Sequence, residues 1–425
     1  MVRESIATAS NFDINWRARM VTLIFATALA ALLALAPAAQ AQTYTVLHYF
    51  TGGEDGGAPV AGLTMAGPGN FYGTSSEGGI QENGTVFHLK YTGSGWVVTT
   101  LYSFQGGYRD GTGPKAPVTV GPDGSLYGTT YNGGSPLCSG GCGIVYKLTP
   151  PPTFCRAVSC PWTETVLHYF QGADGSGPAA AQLVFDRAGN LYGTTYDGGT
   201  YGWGTVFELS LSNGSWTETV LYSFAGGRDG FFPWSGVIFD SAGNLYGTTE
   251  SGGEEGTVYE LSPGGSGWTK SILFDFDGRD QGAGAVGGVV MDAHGNLYGS
   301  TYEQGALGGG TAYQLSPSNG QWNYTLLAAL PQVSLNGPLD SPALDAAGNL
   351  YLTSEQVLNN GANNGAVFEI SPSDGGWQLN TLHTFSGSDG AWPTGSVILD
   401  ADGNIYGTTW VGGHSNWGVI FEITP

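Results

Sequence analysis

Four cysteines, Cys138, Cys142, Cys155 and Cys160, fall within 23 residues of one another and are best read as two disulfides. Four cysteines allow three pairings. Cys138–Cys142 with Cys155–Cys160 is favoured, because each closes a small local loop. A four-cysteine zinc site is the alternative, but its usual two-residue spacings are absent. A second set is a series of aspartates in "DGxxP"-like turns: Asp55, Asp110, Asp174, Asp229 and Asp389, with Asp280 keeping only the acid. Carboxylates in Gly-rich loops suit calcium or another hard cation. They also suit an Asp-Gly turn whose carboxylate accepts from nearby backbone N–H groups, and recurrence favours the turn. No G-x-S-x-G elbow, H-E-x-x-H helix or phosphate-cradling loop is present. Paired carboxylates for glycoside hydrolysis remain available among 34 acids, but such pairing is spatial rather than sequential.

The elements that position these residues are repeats. The phrase "GNLYGTT" recurs with its tyrosine at Tyr72, Tyr127, Tyr192, Tyr246, Tyr298, Tyr351 and Tyr406, at gaps of 55, 65, 54, 52, 53 and 55 residues. The long gap holds an insertion at about 135–161 that carries all four cysteines. One clean unit, Ser235 to Phe276, reads as strand A ("SGVIFD"), a D-x-x-G-N turn, strand B ("LYGTT"), a Gly-rich loop, strand C ("TVYELS") and strand D ("WTKSILFDF"). Four short β-rich runs between Gly, Asn and Asp clusters predict an antiparallel meander. At roughly 50 residues each, such units match propeller blades. The expected fold is therefore all-β: a seven-bladed β-propeller of four-stranded antiparallel blades over residues 42–425, with an open solenoid as the alternative. The last repeat ends on a C strand (Gly418–Pro425), and an orphan D strand, "TYTVLHYF" (43–50), precedes the first repeat. Pairing the two would close the ring and remove free sheet edges.

Some residues are explained by repetition. Trp96, Trp162, Trp216, Trp268, Trp322 and Trp377 each open a D strand, which predicts packing. His48, His168 and His383 take the D-strand slot that Tyr102 and Tyr222 fill elsewhere, so they are expected to substitute for tyrosine and not to form a catalytic set. The tyrosine of "LYGTT" is expected to lie over the glycine of the next blade.

Residues 1–41 read as a secretory signal: Arg17 and Arg19 flank the apolar run Met20–Pro37, and Ala39-Gln40-Ala41 is an A-x-A cleavage site. No other run is long enough to span a bilayer. The expected product is secreted or periplasmic, an oxidising setting in which disulfides persist. Gly 73 and aromatic 12% against charged 11% exclude disorder as the main reading. A net charge of −22 argues against a nucleic-acid partner, because the basic phosphate-contacting surface is missing.

The unit "LYSFAGGRDGFFPWSGVIFDSAGNLYGTTESGGEEGTVYELSP" resembles the GloVer-type tandem repeat of exported bacterial proteins, across nearly all of Thr43–Pro425. The resemblance implies an exported repeat protein and no established reaction. More distantly, the D-x-x-G-N-L-Y hairpin is similar to those of NHL-type propellers, and the double glycines are similar to kelch repeats.

The residues that break the repeat carry the functional expectation. Trp203, Trp234, Trp392, Trp410 and Trp417 all fall in B–C or D–A loops, which emerge on one face of a propeller; His414 lies among the last three. An exposed aromatic cluster needs a reason. Flat rings beside Asn and Asp suit a sugar, and the same rings would serve as hot spots for a protein. The leading expectation is a non-enzymatic propeller that binds a glycan or a protein through this face. A polysaccharide lyase or hydrolase using an asymmetric acid or His414 is the alternative, and a structural cell-surface protein is a third. Rim packing by the same rings competes with all three.

Overall fold

The computed structural model describes residues 42–425 except 153–160, 179, 181, 266, 332–336, 357, 360 and 361. The expected signal, 1–41, and the second disulfide, Cys155–Cys160, lie outside the described residues. Seven four-stranded antiparallel sheets follow one another along the chain. Blades 1 to 6 span 64–103, 119–169, 184–223, 238–275, 290–331 and 343–384. Blade 7 takes its A, B and C strands from Ile398–Leu399, Ile405–Thr409 and Val419–Thr424. Its D strand is Thr43–Tyr49, paired beside Val419–Thr424. The ring is closed as expected. Helix among the described residues is confined to one 3-10 turn, Gly227–Asp229. None is long and apolar enough to cross a membrane.

The repeated phrase has a job at every position. In blade 4, Asp240 accepts from the N–H groups of Ala242 and Asn244, the Asn244 amide and the Tyr246 hydroxyl, which fixes the A–B turn. The same set recurs on Asp186, Asp292, Asp345 and Asp400. The first threonine of strand B reaches the next blade: Thr194 donates to the Ser235 carbonyl and Thr408 to the Ala61 carbonyl. The second bonds within its own blade, as Thr249 Oγ1 does with Thr257 Oγ1 at 2.8 Å. These are short side chains because a larger group would hold the sheets apart.

One expectation is corrected. The ring over the strand-B glycine comes from strand C of the same blade, not from a neighbouring strand-B tyrosine. Gly247 faces Tyr259 and Gly193 faces Phe207 across the ladder, so a Cβ on Gly247 would sit 2.5 Å from the Tyr259 hydroxyl oxygen. The strand-B tyrosine instead bonds the turn aspartate and meets the next blade edge-on, as Tyr127 does with Phe185 and Trp216. Each D-strand tryptophan packs against an interblade core. Among the described residues, buried apolar side chains form seven such clusters, one per seam. That between blades 7 and 1 joins Tyr406 and Ile420 to Phe50, Phe71, Phe87 and Leu89.

Candidate functional site

The loop face is built from a three-way backbone latch. The second residue before strand C accepts from an N–H in the D–A loop. That loop residue's carbonyl then accepts from the residue after strand B of the following blade. Between blades 3 and 4, Phe232 N–H donates to the Trp203 carbonyl and Glu250 N–H to the Phe232 carbonyl. Between blades 6 and 7, Trp392 N–H donates to Asn364 and Trp410 N–H to Trp392. Between blades 7 and 1, Ala58 N–H donates to Trp417 and Ser76 N–H to Ala58. The middle residue must turn left-handed, with φ of 63° at Gly113 and 60° at Gly177. Phe232 and Trp392 hold bulky rings there at φ 61° and 58°. A non-glycine in that region costs on the order of 1–2 kcal/mol, a strain that characteristically marks binding sites.

The latch aims side chains at the propeller axis. A cavity of about 270 Å³ opens there, lined among others by Ser76, Glu77, Lys115, Trp234, Asp340, Thr394 and Trp410. A smaller cavity of about 100 Å³ shares Ala180 and Asp340 with it and adds Ser235, Ser341 and Ser396. Residues from six of the seven A-strand approaches or post-B positions thus converge, because strand A is the innermost strand of every blade. Lys115 brings an ammonium, 4.3 Å over the Tyr131 ring; burial lowers its pKa and nearby Glu77 opposes that. Burial raises the Asp340 carboxyl, against the N–H groups of Ser341 and Ser396, which donate to it at 2.7 and 2.8 Å. Glu250 is likewise raised by burial, opposed by its hydrogen bond with Tyr196.

The tryptophans divide. Trp234 and Trp410 line the axial cavity. Trp392 stands 5.7 Å from Trp410, with its indole N–H donating to the Asn363 carbonyl at 3.0 Å. Trp203 is 39% exposed and touches Phe231 and Phe232. Phe232 stacks on Tyr196 at 4.5 Å, and Tyr196 meets Trp234 at 5.1 Å. A continuous aromatic line therefore runs from the rim at Trp203 to the cavity at Trp234. Trp417 is different: it covers Gly52 and Gly57 and packs on the closing core. His414 is exposed, stacked on Tyr49 at 4.0 Å, and is not among the residues that line the cavity.

The aspartates and cysteines are also placed. Asp110, Asp174 and Asp389 accept from the backbone N–H groups of Gln105, Gln171 and Ser386 and from the D-strand Tyr102, His168 and His383. Asp55 and Asp229 repeat the arrangement with His48 and Tyr222. Cys138 and Cys142 form a disulfide. Sequence reasoning missed the post-B position, filled in turn by Ser76, Tyr131, Tyr196, Glu250, Tyr302, Glu355 and Trp410. Its signal was available: it directly follows the most regular phrase in the chain, yet its chemistry changes from blade to blade.

Fold and cavity together define a closed seven-bladed β-propeller with a ligand-sized recess on its axis. The chain belongs to the Gloeobacter/Verrucomicrobia repeat family, whose model matches residues 31–160, 138–338 and 304–425. No functionally curated protein matches it. Among solved structures, a polysaccharide lyase of the PL25 ulvan lyase family, bound to -[GlcA(1-4)Rha3S]-, is similar at TM-score 0.53 and 12% identity, covering 89% of this chain and 95% of that one. A fungal alcohol oxidase of the AA5 family, in complex with copper, is similar at TM-score 0.55 and 17% identity, covering 90% and 76%. At such identities the likeness is one of fold.

Proposed function

We propose that this protein binds a carbohydrate, without transforming it, in the axial cavity. The carrying observation is the convergence of Trp234 and Trp410 with Lys115, Glu77, Asp340 and Thr394 in one recess. Indole faces take the apolar C–H side of a pyranose, and the charged groups take its hydroxyls in paired donor and acceptor contacts. The volume lies just under the ~300–1,000 Å³ usual for small-molecule sites, so a single sugar ring or a chain end is the fitting occupant. The aromatic line toward Trp203 would carry further sugar units outward. The Cys138–Cys142 disulfide supports a working place outside the cytoplasm. That a PL25 lyase of the same fold holds a uronate-containing saccharide makes acidic polysaccharides the first to try.

Glycan-array screening followed by calorimetry provides the test. Trp234→Ala and Trp410→Ala should each weaken binding at least ~10-fold while shifting Tm by no more than roughly 2–4 °C. Trp417→Ala, by opening a packed seam, should lower Tm and leave affinity unchanged. Absence of saccharide binding, or equal loss in all three variants, would reject the reading. Release of unsaturated or reducing ends from a bound polysaccharide would replace it with the lyase or hydrolase alternative.

A further inference from the structure

We infer that His168, Asp174 and Glu218 form a zinc-type metal site that ties the outer edges of blades 2 and 3 together. His168 lies on the D strand of blade 2, Thr163–Tyr169, and Asp174 in the loop that follows it. Glu218 lies on the D strand of blade 3, Ser215–Ser223. One ligand atom from each falls within 4.8 Å of the other two, and no other such trio occurs among the described residues. His168 Nε2 stands 3.0 Å from Asp174 Oδ2. The other Asp174 oxygen is occupied by the Gln171 N–H at 2.7 Å, so Oδ2 alone faces the gap.

The second observation is a missing partner. Glu218 Oε1 is sealed from solvent and has no hydrogen-bond partner among the described residues. A buried carboxylate oxygen left unpaired beside a second carboxylate is costly. The next seam shows what this position accommodates. Lys270 replaces Glu218 two residues after the structural tryptophan. Its ammonium pairs with Asp229, the counterpart of Asp174, at 3.1 Å. In that seam the chain supplies its own cation; in the seam at Glu218 it supplies two carboxylates and an imidazole. One nitrogen and two oxygens are a borderline set, which suits Zn²⁺ better than Ca²⁺ or Mg²⁺, for which all-oxygen shells are the rule. A tetrahedral ion with bonds of ~2.0–2.2 Å needs ligand atoms roughly 3–3.6 Å apart, so Glu218 has only to close by a rotamer adjustment. Water would take the fourth position. The site is independent of the axial cavity and of any carbohydrate.

The experiment uses the whole mature protein, stripped with chelator, dialysed and titrated with zinc chloride. About one zinc per chain and a Tm rise of several degrees are expected. His168→Gln and Glu218→Lys should both abolish them. Glu218→Lys recreates the ion pair of the neighbouring seam, so its metal-free Tm should equal or exceed that of the stripped parent. It therefore remains informative if His168→Gln does not fold. His383→Gln, which breaks the matching His–Asp pair in a seam without the glutamate, should keep the zinc response. No zinc retention by the parent, or undiminished stoichiometry in Glu218→Lys, would overturn the inference.

Discussion

Glu164 and Glu218 stand at the same place in blades 2 and 3, and burial pushes both carboxyls up to about 7. Glu164 faces the Asp110 carboxylate and the Tyr102, Tyr146 and Tyr169 hydroxyls, with no cation comparable to Lys270 opposite it among the described residues. A carboxyl whose pKa is raised by folding binds its proton more tightly in the native state. Its contribution is therefore neutral below the ordinary value of 4.5 and becomes destabilising as pH rises toward about 7. Stability should decline between those values, and Glu164→Gln should flatten the decline by roughly 1–2 °C in Tm, since solvent reaches part of the group. The turn aspartates act in a different window. Hydrogen bonds hold Asp240, Asp292 and Asp400 below the usual carboxylate range, so their stabilisation is lost only on acidification below it. An unchanged pH profile in Glu164→Gln would show that the seam does not carry this charge. At this scale the sequence was legible by exception. Trp234 and Trp410 stood out because they broke the repeat, and they line the cavity. Trp417 stood out equally but packs inward, because a residue type does not reveal the direction its loop gives it. Lys115 with Glu77, and Tyr196 with Glu250, were invisible, since only the packing of neighbouring blades brings each pair together.

Strands B and C form the stiff middle of each blade, and their facing pairs explain why the repeat tolerates so little change. A strand-B glycine lies beneath a strand-C ring in blades 1 to 5 and 7: Phe87, Tyr146, Phe207, Tyr259, Tyr313 and Phe421. Three of these rings carry hydroxyls, and all three, on Tyr146, Tyr259 and Tyr313, are buried without a partner among the described residues. Phenylalanine at the same place in blades 1, 3 and 7 shows that the hydroxyl is not needed for packing. Tyr259→Phe should therefore leave denaturant stability unchanged or raise it by about 1 kcal/mol, because an unsatisfied polar group is removed. Gly247→Ala, which drives a methyl into the same ring, should lower it by about 1–3 kcal/mol. A stability loss in Tyr259→Phe would mean that the hydroxyl has a partner, such as an ordered water. The strand pattern was legible from alternation and turn chemistry alone. Which ring covers which glycine was not, because "LYGTT" and "TVYEL" meet only through register. That register follows from the D-x-x-G-N turn and the B–C loop acting together.

The ring as a whole depends on eight residues far from its other end in sequence. Thr43–Tyr49 supplies the outer strand of blade 7, and Phe50, 1% exposed, fills the seam to blade 1 beside Phe71 and Phe87. Phe50 N–H also donates to the Gly418 carbonyl, as Phe104 does to Gly84 and Phe224 to Gly204 within their own repeats. The closing blade is thus built like the others, except that its fourth strand comes from the opposite end of the chain. Closure was legible because the missing and the orphan strand matched in type, a constraint that only a closed array satisfies. Removing 43–50 should leave Val419–Thr424 as an unpaired edge and uncover one apolar seam. The loss should exceed about 3–5 kcal/mol, the scale of deleting one large core side chain, with self-association through the open edge. If strand pairing and the Phe50 plug are the cause, a peptide of sequence TYTVLHYF added in trans should restore Tm and monomeric behaviour. The same peptide with Phe50→Ala should restore much less. A truncated chain that stays monomeric and equally stable would show that the other six seams hold the ring without its closure. Because the axial cavity is lined from blades 1, 2, 3, 4, 6 and 7, truncation should also abolish carbohydrate binding, and the peptide should return it together with the fold.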